Sequence, residues 1–186
     1  MQKTEVRKQA LKDRLAINLE QYELLNKGLL NQFCTLDFSE VNTIHIFLPI
    51  TKKKEPNTFL LIEWLAVNHP HVKIIVPKAD FETALMTHHE YLGIHDLQKN
   101  LYDILEPQKG VIHNDEIDLV LVPLLAFDQY GYRVGYGKGF YDRFLENLNA
   151  QKIGLSLSPA IEKIEDINEH DIRLDLCITP TEIIKF

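Results

Sequence analysis

Residues 117–148 read IDLVLVPLLAFDQYGYRVGYGKGFYDRFLENL, and this segment decides the fold. It opens with an unbroken apolar run, Leu119–Val122, which Pro123 ends. A short run of this kind, rich in β-branched residues, is typical of a strand buried on both faces. A loop with several glycines follows, and from Gly139 onward apolar side chains recur at helical spacing as far as Leu148. The segment therefore predicts a strand, a glycine loop and a helix, in that order.

The loop carries glycines at positions 131, 135, 137 and 139 and two cations, Arg133 and Lys138. Glycines let main-chain N–H groups approach a ligand closely, and the first turn of a helix offers N–H groups to a phosphate. The loop is not a Walker A motif, because Gly139 stands where Ser or Thr should follow Lys138, and its glycine spacing is not that of the dinucleotide fingerprint. The pattern favours a phosphate site. The alternative is an ordinary glycine-rich turn between two core elements.

Length and composition indicate one domain over residues 1–186, with 45% hydrophobic and 25% charged residues. The formal net charge of −7 argues against a nucleic-acid partner, because phosphate backbones select basic surfaces. A local basic pocket inside an acidic protein suits a small anionic ligand better.

Cys34 and Cys177 lie far apart in apolar surroundings and form no CxxC pair, so we expect buried free thiols. The charged N-terminus does not resemble a signal peptide, and no apolar run approaches the ~20 residues that span a bilayer. We therefore expect a cytoplasmic protein without a membrane partner.

Apolar periodicity predicts helices that alternate with short buried strands, which indicates a mostly parallel sheet covered on both faces. The expected architecture is a three-layer α/β/α single domain. The predicted helices are 3–33 and 59–68, the latter capped by Thr58, with a helix or turn over 160–167. The predicted strands are 43–49, 72–77, 84–88 (antiparallel to its neighbours), 119–122, 152–157 and 174–178.

Several polar residues outside the central segment have two readings. Lys3 and Arg7 share one helix face, and Lys78 follows a predicted parallel strand at the end that faces a ligand crevice. Taken by themselves, the pair Lys3 and Arg7, the single Lys78 and the lysine triplet 52–54 could each be solvated surface. His45 lies in an apolar run and is expected in the core, whereas His88, His89 and His95 lack the carboxylate or thiol that would complete a metal site.

From Pro123 to Arg143 the sequence reads PLLAFDQYGYRVGYGKGFYDR. This stretch resembles the signature of the 5-formyltetrahydrofolate cyclo-ligases (5,10-methenyltetrahydrofolate synthetases), a pattern close to PGxAFDxxGxRLGxGxGYYDR after a hydrophobic strand. Weaker resemblances follow the family order along nearly the whole chain. They are Lys3 with Arg7, Ile46–Leu48 with Glu55 and Thr58, residues 100–107 (NLYDILEP), and His170–Asp171 with Asp175.

The resemblance implies ATP-dependent cyclisation of 5-formyltetrahydrofolate, with folate and ATP as small-molecule partners. It implies that the catalytic residues are Arg133, Lys138 and Tyr141. The nucleotide-binding set is Lys3, Arg7, Arg133, Val134, Gly135, Tyr136, Gly137, Lys138, Gly139, Phe140 and Tyr141, and the folate-binding set is Leu48, Glu55, Tyr136 and Phe140. A monomer or a small homo-oligomer is expected.

Asp142 lies in the first turn of the predicted helix, where the helix dipole alone would stabilise a carboxylate. A polyphosphate would repel it unless a cation lay between them, and Mg²⁺ takes one or two carboxylates with phosphate oxygens and water. We therefore assign Asp142, with Asp171 as the second candidate, to a Mg²⁺ site.

The chain departs from the family pattern at four positions. Phe140 replaces the first tyrosine of the usual pair, Asp103 stands where glycine is usual, Leu124 stands where glycine is common, and Lys138 occupies a variable position. Two other classes of protein compete with the cyclo-ligase. One is a sugar-phosphate isomerase or acyl-transfer enzyme on a similar scaffold, and the other is a folate or nucleotide binder without turnover.

Overall fold

The apolar run of the central segment forms the middle strand of a seven-stranded sheet. The computed structural model describes all residues 1–186, and the strand Leu119–Pro123 pairs in parallel with a neighbour on each side. Its residues from Leu119 to Val122 are at most 3% exposed. The prediction of a strand buried on both faces is confirmed.

The helices and strands are numbered in chain order. The helices are α1 (Lys3–Ala16), α2 (Leu19–Phe33), α3 (Thr58–Asn68) and α4 (Phe140–Leu145). The strands are β1 (Thr43–His45), β2 (Lys73–Asp80), β3 (Leu85–Glu90), β4 (Leu97–Lys99), β5 (Leu105–Pro107), β6 (Leu119–Pro123), β7 (Ala126–Phe127), β8 (Arg133–Val134), β9 (Gln151–Leu155), β10 (Leu176–Ile178) and β11 (Ile183–Lys185).

The main sheet has the strand order β11-β10-β9-β6-β1-β2-β3. Its inner strands are all parallel, and the two edge strands β3 and β11 are antiparallel to their neighbours. The mostly parallel sheet and the antiparallel β3 were predicted, whereas β11 was not. Two small antiparallel hairpins, β4–β5 and β7–β8, stand outside the main sheet.

The two faces of the sheet carry separate apolar clusters, because successive side chains of a strand point to opposite faces. On one face Leu119 and Leu121 pack with α2 and α3 residues such as Leu29 and Leu65. On the other face Val120 and Val122 pack with residues that include Leu145 of α4. The three-layer α/β/α arrangement is confirmed, although its second helical layer consists of a short helix and irregular chain.

The expected helices need correction in four places. The helical region 3–33 is two helices, because Asn18 forms a capping box with Gln21 and starts a new helix. Thr58 begins α3 without capping it, since its hydroxyl donates to the Phe47 carbonyl. Residues 160–167 contain no helix, and α4 ends at Leu145, short of the predicted Leu148.

The two cysteines are free thiols, as expected, but only Cys177 is fully buried; Cys34 is half-buried. No helix combines the length and the apolar character that crossing a bilayer requires.

Gly154 of β9 faces the apolar cluster that contains Leu124 and Leu174. A Cβ at this position would approach Leu174 Cδ1 to 2.6 Å and Leu124 Cδ2 to 2.9 Å. We expect Gly154→Ala to lower the free energy of unfolding by about 1–3 kcal/mol, because it overpacks a filled core. Urea unfolding should show a lower midpoint with an unchanged m-value. Gly135→Ala is the matched control, since a Cβ there meets nothing within 4 Å, and an equal loss in both variants would contradict the packing argument.

Candidate active site

A cavity of about 640 Å³ opens where β1, β2 and β6 end. The chain leaves β1 through Phe47 and Leu48, β2 lines the cavity with Pro77 and Ala79, and β6 lines it with Pro123. The carboxyl edge of a parallel sheet is where α/β proteins bind ligands. Lys78 is not part of the lining, because Pro77 and Ala79 on either side of it take the cavity face of the strand.

Every residue assigned to the site from the sequence lines this one cavity. The set is Lys3, Arg7, Leu48, Glu55, Arg133, Val134, Gly135, Tyr136, Gly137, Lys138, Gly139, Phe140, Tyr141, Asp142 and Asp171. They come from segments as distant as positions 3 and 171. Their shared position is a finding of the structure, while the individual roles remain predictions.

The glycine loop runs from β8 to α4 and faces α1. Gly137 has a φ of +87° and Gly139, the residue before α4, has a φ of +69°, so both adopt the left-handed region that side chains disfavour. Arg7 Nε donates to the Gly135 carbonyl at 2.9 Å. A Cβ on Gly137 would lie 3.3 Å from the Arg7 guanidinium carbon. The loop therefore needs glycine at position 137 both for its backbone angle and for the approach of Arg7.

The cations and the carboxylates of the site are paired with one another. Arg133 Nη2 lies 2.8 Å from Asp142 Oδ1, and the Lys3 ammonium forms an ion pair with Asp171 Oδ2. Arg133 is largely buried and also donates to the Ile172 carbonyl. Lys138 lines the cavity without an ion-pair partner. The glycine-loop side of the site thus presents four cations, of which two are balanced by carboxylates, and Lys53 on the opposite wall is a fifth.

The two carboxylates fit the modest protein ligand set that Mg²⁺ takes. One oxygen of Asp142 (Oδ2) and one of Asp171 (Oδ1) accept no hydrogen bond. No group of three or more acidic, histidine or cysteine side chains converges anywhere in the protein. Mg²⁺ commonly takes only one or two carboxylates and completes its shell with phosphate oxygens and water. The residues present therefore suit a metal ion that arrives with a polyphosphate.

Glu55 and Tyr136 form the other wall of the cavity. Glu55 is only 2% exposed, and its Oε2 accepts from the Ile50 N–H at 2.7 Å. Burial raises the pKa of the Glu55 carboxyl. The Tyr136 ring carries the Lys53 ammonium 4.1 Å from its centroid. Of the lysine triplet, only Lys52 is exposed, since Lys53 lines the cavity and Lys54 donates to carbonyls at the end of α1.

Arg14 supports this wall and was missed from the sequence. It is 5% exposed, its Nη1 donates to the Leu124 carbonyl at 3.0 Å, and its Nη2 donates to the Tyr136 hydroxyl. Arg14 follows Arg7 by two helical turns, so the basic face already noted at Lys3 and Arg7 could have been extended to it. Arg14 holds Tyr136 without lining the cavity itself.

An aromatic rim was also missed. Phe81 lies with its ring centroid 4.1 Å from that of Tyr102 and 5.3 Å from that of Phe140. Phe81 and Tyr102 lie in separate turns and Phe140 begins α4, and no sequence pattern connects the three. Phe140 therefore contributes a ring surface where its family position offers a tyrosine.

Beneath α4 lies a pair of histidines with few polar contacts. His45 is fully buried, its ring nitrogens have no hydrogen-bond partner, and its ring centroid lies 5.0 Å from that of His88 and 4.8 Å from that of Phe144. The expectation of a core position for His45 is confirmed. His88 stacks on Phe144, whereas His89 contacts the Gly110 carbonyl, so these two neighbouring side chains point in different directions.

The fold and the cavity together define a class: an α/β protein that presents a glycine loop and unpaired positive charge at the carboxyl edge of a parallel sheet, as phosphate-binding enzymes do.

Comparisons with known proteins identify the family. The model of the 5-formyltetrahydrofolate cyclo-ligase family matches residues 1–180. A Mycoplasma pneumoniae 5-formyltetrahydrofolate cyclo-ligase is 25% identical over 183 residues, covering 96% of this chain and 98% of its own. The Escherichia coli K12 enzyme of that name is 26% identical over 148 residues, covering 76% of this chain and 80% of its own.

A solved structure shows the same fold. The NMR structure of Aquifex aeolicus 5,10-methenyltetrahydrofolate synthetase superposes with a TM-score of 0.84 at 28% identity, covering 100% of this chain and 93% of the other. The chain belongs to the 5-formyltetrahydrofolate cyclo-ligase family, and is thus an ATP-dependent ligase of folate one-carbon metabolism.

The histidine pair should make stability depend on pH. Burial lowers the pKa of His45 well below its ordinary value and that of His88 to about 4. In the unfolded chain both titrate near ~6.5, so the unfolded state binds more protons as the pH falls below that value. We expect the free energy of unfolding to decrease from about pH 6.5 downward, by up to roughly 1.4 kcal/mol per pH unit for each histidine.

His45→Phe should reduce this slope between about pH 6.5 and pH 4, as measured by urea unfolding at a series of pH values. His170→Gln is the control, because the side chain of His170 is 77% exposed. An unchanged slope in His45→Phe would show that the buried ring does not control the acid sensitivity.

Proposed function

We propose that this protein closes the ring of 5-formyltetrahydrofolate to 5,10-methenyltetrahydrofolate at the cavity described above, consuming ATP in the presence of Mg²⁺ and releasing ADP and phosphate. The observation that supports this assignment most is the convergence of the glycine loop, the four cations and the two carboxylates on one cavity. Its volume of about 640 Å³ is within the range of small-molecule sites.

The chemical obstacle is a poor leaving group. The formamide oxygen of the substrate resists expulsion, so N10 cannot displace it directly. Transfer of the γ-phosphoryl group of ATP to that oxygen forms an activated imidate and leaves ADP. N10 then attacks the activated carbon and the C–O bond breaks, so that inorganic phosphate departs with the oxygen. The protein's part in such a reaction is positioning and charge neutralisation.

The nucleotide's phosphates are assigned to the glycine loop. Main-chain N–H groups between Gly135 and Gly139 lie beside the cavity, where no side chain on either residue blocks them. Lys3, Arg7, Arg133 and Lys138 supply positive charge to the transferring group. Arg7 also fixes the loop through the Gly135 carbonyl, so its role combines charge with preorganisation.

Tyr141 is assigned a catalytic role because its hydroxyl is free to donate. The hydroxyl is buried, has no hydrogen-bond partner and belongs to a residue that lines the cavity. Burial, with the charge of Glu55, raises the pKa of Tyr141, so the group stays protonated at neutral pH. A buried unpaired donor costs free energy, and a reacting oxygen with growing negative charge would satisfy it.

The folate is assigned to the opposite wall. Leu48 and the rings of Tyr136 and Phe140 offer apolar surface to the flat pterin, where stacking adds about 0.5–1.5 kcal/mol beyond burial. The Glu55 carboxyl lies in the lining beside Tyr136 and is assigned to accept from ring N–H groups. Tyr136 is held in place by Arg14 and by the Lys53 ammonium over its ring.

Asp142 and Asp171 are assigned to the Mg²⁺ ion that accompanies ATP. When bound, such an ion neutralises phosphate charge and fixes the orientation of the γ-phosphoryl group. These carboxylates also pair with Arg133 and Lys3, which holds both cations beside the glycine loop. We further assign the protein to the cytoplasm, as a monomer or a small homo-oligomer.

A turnover assay tests the proposed function. The protein is mixed with ATP, Mg²⁺ and 5-formyltetrahydrofolate, and the ultraviolet absorbance of the methenyl product is followed. We expect product only when all three are present, because the formyl oxygen must be phosphorylated before N10 can displace it. Binding of folate and ATP without turnover would identify the rival class, a binding protein, and would overturn the catalytic assignment.

Asp142→Asn tests the metal assignment. The substitution keeps the shape of the side chain and removes its charge, so we expect kcat to fall by at least about tenfold and the Mg²⁺ concentration for half-maximal rate to rise. Initial rates over a Mg²⁺ titration measure both effects. Glu146→Gln, at an exposed position just after α4, is the matched control. A lower kcat with an unchanged Mg²⁺ dependence would assign Asp142 to holding Arg133 rather than the metal.

A further inference from the structure

Two loops at the rim of the cavity are tied together by one carboxylate. The 3₁₀ turn Thr51–Lys53 lies between β1 and α3, and the turn between β4 and β5 carries Asp103. Asp103 forms ion pairs with Lys52 of the first loop and, at 2.9 Å, with Lys99 at the end of β4. We call Lys52, Asp103 and Lys99 the rim clasp.

The rim clasp adjoins the folate wall. Lys53 follows Lys52 and lines the cavity, and Tyr102 and Ile104, on either side of Asp103, line it as well. Lys52 and Asp103 are therefore immediate neighbours in sequence of residues that line the cavity. A ligand that extends out of the cavity past the aromatic rim meets these charges first.

Asp103 is held in an unusual conformation. Its φ is +64°, in the left-handed region, which explains why the matching position of the cyclo-ligase pattern is usually glycine. Among residues with a side chain, Asp and Asn adopt this region most readily. The position thus accepts a carboxylate at a modest backbone cost, and here the carboxylate is placed between two lysines.

The clasp can open at little cost. The side chains of Lys52 and Lys99 are 79% and 60% exposed, whereas that of Asp103 is 29% exposed. Ion pairs between exposed groups contribute little and exchange readily with competing ions. The ammonium groups of Lys52 and Lys99 lower the pKa of Asp103, so it is ionised at neutral pH.

The substrate of the proposed function brings competing carboxylates to this place. The pterin end of 5-formyltetrahydrofolate must reach the phosphates inside the cavity, so its glutamate end, with two carboxylates, points toward the rim. The cations deeper in the cavity are assigned to the nucleotide. Lys53 lies over the Tyr136 ring on the folate wall. The other positive charges near the glutamate are Lys52 and Lys99 at the rim, and Asp103 already pairs with both.

We propose that Asp103 is a specificity-determining residue: its carboxylate competes with the glutamate carboxylates of the folate for Lys52 and Lys99, and so weakens the binding of substrates with anionic tails. The inference rests on the proposed function, because it takes folate as the ligand. The weakening grows with the number of glutamates in the tail, since each added carboxylate meets the same occupied lysines.

The test is Asp103→Asn, which removes the charge and keeps a side chain suited to the left-handed region. Dissociation constants are measured without ATP, by tryptophan fluorescence or calorimetry, for 5-formyltetrahydrofolate, for its triglutamate and for 5-formyltetrahydropterin, which has no tail. We expect the variant to bind the triglutamate about three- to tenfold more tightly, the monoglutamate less so, and the pterin as the wild type does. In turnover the effect should fall on KM rather than on kcat.

Two controls distinguish competition for Lys52 and Lys99 from an effect of the protein's net charge. Asp115→Asn makes the same change in net charge at an exposed position outside the cavity lining and should leave all three constants unchanged. Adding Lys52→Gln and Lys99→Gln to Asp103→Asn should abolish the gain, since the freed lysines produce it. Equal tightening for the pterin, or weaker binding of the triglutamate, would overturn the proposal.

The binding measurements do not depend on catalysis. If the wild type binds folates without turning them over, the proposed function fails while the competition is still measured. If it binds no folate at all, both fail together. A gain confined to the tailed ligands supports the role of Asp103 whether or not the protein turns the folate over.

Discussion

The contact on which the site depends is the packing of α1 against the β7–β8 hairpin. Val6 is 3% exposed and lies in a small apolar cluster with Ala126 and Val134. Burying one such side chain contributes about 1.5–3 kcal/mol, which is enough to fix the rotation of a helix. With Val6 buried, Arg7 reaches the Gly135 carbonyl and Lys3 reaches Asp171. One apolar contact thus brings the first residues of the chain to a loop more than a hundred positions away.

Clustered cations make the site costly to assemble without a ligand. Lys3, Arg7, Arg133 and Lys138 share one cavity, where like charges repel one another. Asp142 and Asp171 relieve this repulsion by pairing with Arg133 and Lys3. Because Arg133 is largely buried, loss of its partner would leave an uncompensated charge, which is far more costly than loss of a surface pair. The two carboxylates therefore hold Arg133 and Lys3 in positions where the phosphates of a nucleotide would also contact them.

Much of the fold and of the site could be predicted from local features. The apolar run 119–122 predicts a buried strand on its own, and positive φ angles at 137 and 139 are what closely spaced glycines allow. The place of Arg14 on the basic face of α1 could have been found in this way, but its contact with Tyr136 could not, and neither could the rings of Phe81 and Tyr102. Their importance comes from neighbours distant in sequence, such as the Tyr136 hydroxyl, and no local pattern encodes such a neighbour. Strand β11 was missed for a similar reason, since a three-residue edge strand is defined by its partner β10.

By itself, the sequence determined the order of the parallel strands of the main sheet, the glycine loop and the motif from Pro123 to Arg143, because each depends on residues within a few positions of one another. Only the tertiary structure decided which charges meet. Lys3 pairs with Asp171, Arg133 pairs with Asp142, and Asp103 lies between Lys52 and Lys99. The physical reason is that electrostatic pairing falls off within a few ångströms, so it depends on how the helices and loops pack on the sheet and not on their spacing along the chain.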